Sequence, residues 1–167
     1  MKDVGSPRDT KTYSSTISAS ETAGGENGMS NALALLEEMK GVGITRNTIT
    51  YTSAISACGK AGGEDGMRKA LALLEEMKDV GIPRNTITYN AAISACEKAG
   101  GEIGMRNALA LLQEMKDVGI PRDTKTYSST ISACEKAGGE DGMSKALALL
   151  EEMKGVGITR NTITYNS

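Results

Sequence analysis

After every tyrosine of the 167-residue chain comes a small hydrogen-bonding side chain whose identity varies: Ser14, Thr52, Asn90, Ser128 and Asn166. A second polar row stands 33 residues beyond the first, at Asn47, Asn85, Asp123 and Asn161. Serine and threonine hydroxyls donate and accept, the asparagine amide does both through separate atoms, and ionised aspartate only accepts. Each type can therefore face a flat polar partner such as the edge of a nucleobase. The same types also cap helices, and at the closing row both readings stay open.

Catalytic chemistry is not encoded. The chain has no His, and no Ser or Cys stands with a candidate base. The AGGEDG segments lack the Gly-Lys-Ser/Thr ending of a phosphate loop and read as turns. Pairs of the Glu37-Glu38 type sit among Lys and Arg in the pattern of a solvated face. An enzyme is not expected, nor is a cofactor. Cys58, Cys96 and Cys134 fall at one fixed register and read as small buried hydrophobes in a reducing compartment, not as a metal or disulfide set. With 19 Lys+Arg against 21 Asp+Glu the net charge is −2, so there is no broad basic field. No apolar run approaches the length of a membrane span, and the N-terminus shows neither a secretory nor a transit pattern.

The elements that must position these residues come from internal repetition. Tyr13, Tyr51, Tyr89, Tyr127 and Tyr165 recur every 38 residues with their surroundings intact. The units run over residues 10–47, 48–85, 86–123 and 124–161; residues 1–9 match the end of a preceding unit, and 162–167 open a fifth. Met1 to Asp9 equals Met115 to Asp123 at eight of nine positions. The expectation is a piece of a longer array whose uncapped ends could stack end to end.

Each unit carries two helical stripes. Tyr89, Ala92, Ile93 and Cys96 fall on one helical face, with Thr86 to Thr88 as N-cap candidates and Gly100-Gly101 as the stop. Met105, Ala108, Leu109, Leu112 and Met115, widened by Leu111, form the second stripe, which Gly119 and Pro121 close. Two helices of about 12 residues cannot bury such faces alone. Stacking completes the core, and the fold class is all-α: an α-solenoid of tandem helix-turn-helix repeats, with no Trp or Phe needed for one large core.

The remaining faces differ. The second helix carries charges such as Arg106, Glu114 and Lys116, which read as a solvated outer surface. Off the first helix's stripe stand Ile87, Asn90, Ala91, Ser94 and Lys98, mostly small and hardly charged. That is a surface suited to close approach.

In this order the residues resemble the pentatricopeptide repeat family over essentially the whole chain, on the pattern TYN…ISACEKAG…ALALLEEMK..GI..D. The unit is longer than is usual there, with the surplus placed in the turn around Gly104. The resemblance implies a right-handed superhelix that binds single-stranded RNA, one base per unit, in a mitochondrion or plastid, otherwise in the cytoplasm. It implies base-reading pairs Ser14 with Asn47, Thr52 with Asn85, Asn90 with Asp123, and Ser128 with Asn161. It further implies that Lys11, Ile49, Ile87, Lys125 and Ile163 sandwich the bases, and that Lys60, Lys98 and Lys136 point at phosphates. Asn beside Asp favours uracil, and Ser or Thr beside a closing Asn favours adenine. The four pairs then spell 5′-AAUA-3′. The rival reading is a helical scaffold for a protein or peptide, which predicts varied apolar or aromatic anchors along the groove.

Overall fold

The computed structural model describes residues 9–157. Among them are eight helices and no strand: α1 (Thr10–Ala23), α2 (Gly25–Val42), α3 (Thr48–Ala61), α4 (Gly63–Val80), α5 (Thr86–Ala99), α6 (Gly101–Val118), α7 (Thr124–Ala137) and α8 (Gly139–Gly155).

The helices start where a side chain can satisfy the orphan N–H groups of a first turn. Asn85 is the N-cap of α5: its Oδ1 accepts from Thr88 N at 2.9 Å, and Thr88 Oγ1 accepts in return from Asn85 N at 3.3 Å. Asn47 and Asp123 cap α3 and α7 in the same way, and Asp9 caps α1 by accepting from Thr12 N at 2.9 Å. The cap is thus the closing residue of the preceding unit; Thr86 is already the first helical residue. The second stripe ends as expected. Gly119 adopts the left-handed conformation, and Ile120 N donates to Met115 O at 2.9 Å while the Ile120 side chain packs on the core.

The helices are longer than the stripes suggested, 14 and 17 or 18 residues, because almost no turn separates the two of a pair. The chain reverses over a single residue, Gly100 at φ 72° and ψ −174°, a conformation that a Cβ would oppose. The extra residues of the unit, expected to form a turn, instead make the first turn of the second helix. Glu64, Asp65, Glu102, Glu140 and Asp141 there complement the helix dipole.

First helices pack directly on one another, α1 on α3, α3 on α5 and α5 on α7; α3, α5 and α7 also meet the second helices on either side, and α1 meets α2. Second helices make at most sparse contact among themselves. The first helices therefore line the shorter, concave side. Ala57, Ala95 and Ala133 stand fully buried in these contacts and let the backbones approach. Tyr51, Tyr89, Ile55, Ile93, Met77 and Met115 fill the core, as the stripes require. Cys58, Cys96 and Cys134 are buried free thiols, and burial pushes the first two up to about 11 and about 12. Successive pairs are also tied by hydrogen bonds from Thr10 to Thr45 O, Thr48 to Pro83 O and Thr86 to Pro121 O, at 2.6–2.8 Å.

Candidate functional site

The concave face holds an open groove of about 660 Å³ that runs from α1 across α3 and α5 to the start of α7. Ile87, Asn90, Ala91, Ser94 and Lys98, the residues left off the apolar stripe, all line it. So do Ile49, Thr52, Asn85 and Asp123. The helix register dictates this: residues that avoid the Tyr-Ala-Ile-Cys stripe must emerge on the opposite side of a helix whose flanks are packed.

The two polar rows meet across the boundary between units. Asn90, 5% exposed, donates from Nδ2 to Asp123 Oδ1 at 3.1 Å and accepts at Oδ1 from Thr126 Oγ1 at 2.6 Å. Thr52 and Thr88 share a hydroxyl contact of 2.9 Å at the equivalent place. Burial opposes ionisation of Asp123, but hydrogen bonds from the Thr126 backbone and hydroxyl and from Asn90 outweigh it, so the carboxyl lies below its ordinary range. It is an acceptor at neutral pH. Capping and groove-lining therefore coexist: one oxygen of Asp123 and one N–H of Asn90 remain outside these bonds, an acceptor beside a donor. Ser14 and Ser128 are half-buried at the corresponding positions, and Asn47 caps α3. Asn161 lies outside the described residues.

Ile49 and Ile87 are 61% and 67% exposed, an unusual state for isoleucine, and both face the groove. Lys11 and Lys125 are exposed at the same register. Ile163 lies outside the described residues. The three late lysines are not equivalent: Lys60 pairs with Glu21 at 3.4 Å and Lys136 with Glu97 at 3.2 Å, whereas Lys98 has no such partner among the described residues.

One constellation went unread in the sequence. Glu114 and Lys116 are not simply solvated. Tyr89 Oη donates to Glu114 Oε2 at 2.5 Å, and Arg84 donates to the same oxygen at 2.9 Å and to Tyr89 Oη at 2.8 Å. Arg46, Tyr51 and Glu76 repeat the clasp, as do Arg122, Tyr127 and Glu152 at longer arginine distances. Lys116 reaches the next unit's Glu152 at 2.8 Å. The clasps lie on the far side from the groove, joining the base of each first helix to the end of the second.

These buried groups set a pH limit. Burial, aided by Glu76 and Glu152, pushes Tyr51 and Tyr127 up to about 12 from an ordinary 10.0, and the buried thiols rise from 9.0. The folded chain thus holds protons that the unfolded chain releases, so stability is full below about pH 9 and is lost as pH rises toward about 12. Thermal melts across that window should show a progressive fall in Tm; a constant Tm would contradict the burial of these groups.

Among the described residues no group of His, Cys, Asp or Glu could hold a metal, and no helix is long and apolar enough to cross a membrane. Helix pairs stacked with all first helices on one grooved side define an α-solenoid of the helical-repeat class. The pentatricopeptide repeat domain model matches residues 1–61, 34–99 and 110–167, and the chain belongs to the pentatricopeptide repeat family. No curated protein sequence matches it significantly. The fold superposes on the maize pentatricopeptide repeat protein PPR10 in complex with an 18-nt psaJ RNA element, with TM-score 0.82 and 27% identity over 98% of this chain. This chain spans 22% of that protein's length. It is also similar in fold to the PPR domain of Arabidopsis thaliana protein-only RNase P 1 in complex with tRNA: TM-score 0.73 at 16% identity, covering 92% of this chain and 74% of that one.

Proposed function

We propose that the chain binds single-stranded RNA along the concave groove, one base per unit, and serves RNA processing, stability or translation in a mitochondrion or plastid. The observation that carries this reading is the Asn90–Asp123 contact, which sets an unspent donor and an unspent acceptor side by side in the groove that the exposed Ile87 also lines. The likeness to PPR10, a protein solved with RNA, supports it. Exposed Ile49 and Ile87, with the stems of Lys11 and Lys125, supply flat apolar cover for stacked bases. Reading pairs Ser14/Asn47, Thr52/Asn85, Asn90/Asp123 and Ser128/Asn161 give 5′-AAUA-3′.

Discrimination arises because a buried reader facing the wrong edge keeps an unpaired group, at about 1–3 kcal/mol each. The test is binding to a panel of four-base variants embedded in unstructured RNA. Asn90→Thr should move the third preference from uracil toward guanine and leave the other three unchanged. No preference at the third position, or no shift in the variant, would replace the RNA reading by that of a protein-binding scaffold.

A further inference from the structure

We propose that the RNA backbone is gripped chiefly at one place, the junction between α3 and α5, where Gly59, Ser94 and Lys98 leave an uncompensated ammonium and a hydroxyl open to a phosphodiester. This rests on the RNA reading above and adds to it an unequal division of the electrostatic work.

Two of the junctions are closed. Glu21 accepts from Ser56 Oγ at 2.9 Å and pairs with Lys60 at 3.4 Å. Glu97 accepts from Ser132 Oγ at 3.0 Å and pairs with Lys136 at 3.2 Å. In each, a carboxylate late in one first helix neutralises the serine and lysine of the next. An ammonium bound to a carboxylate offers a phosphate little, because the RNA would have to displace that carboxylate or sit beside it.

The residue in the carboxylate's place before Ser94 and Lys98 is Gly59. Neither side chain has a hydrogen-bond or ion-pair partner among the described residues, and both line the groove with Gly59 itself. The one neighbouring carboxylate in sequence, Glu97, is occupied by Ser132 and Lys136. Glycine is not required here by crowding: a Cβ at Gly59 would meet Ala95 at 3.4 Å, an ordinary contact distance. Glu21 and Glu97 stand at equivalent positions beside the equally buried Ala57 and Ala133. A glutamate at 59 therefore fits, and its absence opens a charged gap in the middle of the groove, next to the Asn90–Asp123 pair.

The phosphate chemistry follows. A Lys ammonium is a compact charge with three donors, and a serine hydroxyl adds one more to the same oxygens. Each phosphate neutralised on a single strand contributes about 0.7 to the slope of log affinity against log salt. In a chain of net charge −2, the one uncompensated late lysine offers a phosphate more than the two compensated ones.

The experiment is fluorescence anisotropy of a labelled unstructured RNA containing AAUA, over a salt series. Gly59→Glu and Lys98→Gln should each weaken binding about threefold to tenfold at low salt and flatten the salt slope by about 0.7. Lys60→Gln and Lys136→Gln should change affinity by less than about twofold, as expected for an exposed lysine already paired. Glu97→Gln should strengthen binding, and Lys136→Gln should cancel that gain only in the Glu97→Gln background. Equal losses from Lys60→Gln and Lys98→Gln, or unchanged binding by a Gly59→Glu protein with the wild-type melting curve, would overturn the single grip. A wild-type base preference together with affinity and salt slope unchanged in Lys98→Gln would overturn this inference alone. Wild-type protein that binds no RNA would overturn both readings.

Discussion

Replacing Gly104 by alanine is expected to lower stability by about 3 kcal/mol, the upper part of the range for overpacking a well-packed site. A Cβ built at Gly104 lies 2.4 Å from Cys96 O, and the same clash recurs for Gly28 against Ser20 O, Gly66 against Cys58 O and Gly142 against Cys134 O. The obstacle is backbone of the antiparallel neighbour, so no rotamer change relieves it; the two helices must move apart and uncover Cys96 and Met105. Helix propensity alone predicts the opposite sign, since alanine is favoured over glycine by about 1 kcal/mol inside a helix. Gly41, in the last turn of α2, is the control, because an added Cβ there would meet nothing within 4 Å. Gly41→Ala should stabilise by about 0.5–1 kcal/mol. Thermal or denaturant melts of the two variants decide the matter: equal behaviour would mean that close helix approach at Gly104 is not what fixes the pair.

The second large effect concerns the clasp. Glu114→Ala removes the acceptor of both Tyr89 Oη and Arg84, whose side chain is only 16% exposed. Two donors are left without their partner, one of them charged, and the expected loss is about 2–3 kcal/mol. Glu75, the first glutamate of the preceding unit's pair, is 63% exposed and touches only Lys78 at 3.5 Å. Glu75→Gln should change stability by no more than about 0.5 kcal/mol. A thermal melt that ranks the two substitutions equally would return both glutamates to the solvated surface.

That contrast shows what the sequence could and could not disclose. The apolar stripes, the Gly119 stop and the burial of the thiols follow from period and residue type, which act locally and need no knowledge of partners. The groove-lining set around Asn90 was legible for the same reason, as the complement of a stripe. The clasp was not, because Arg84, Tyr89 and Glu114 come together only when the second helix folds back along the first. A signal existed nonetheless: the second glutamate of the pair recurs as Glu38, Glu76, Glu114 and Glu152, while the first gives way to Gln113. The N-cap falls at Asn85, one residue before the threonines expected to supply it, and the link at Gly100 is shorter than expected, because the acidic first turn of α6 carries no apolar periodicity. The inequality of Lys60, Lys98 and Lys136 is invisible in any single unit; it depends on which residue the preceding first helix sets beneath each lysine.

The threonine ties from Thr10, Thr48 and Thr86 to the loop ahead, with the cap formed by each closing Asn or Asp, mean that every unit meets its neighbours through the same few atoms. A gene encoding such a chain can lose or gain one whole unit by in-frame recombination between near-identical segments, and the new junction finds chemically matching partners already in place. Array length can thereby drift, and under the proposed RNA reading the length of the bound strand would drift with it. Among the three described junctions between first helices, the Gly59 one lacks the carboxylate that pairs its lysine, so under the proposed grip a deletion that removes it would shorten the array by one step and take the unpaired Lys98 with it.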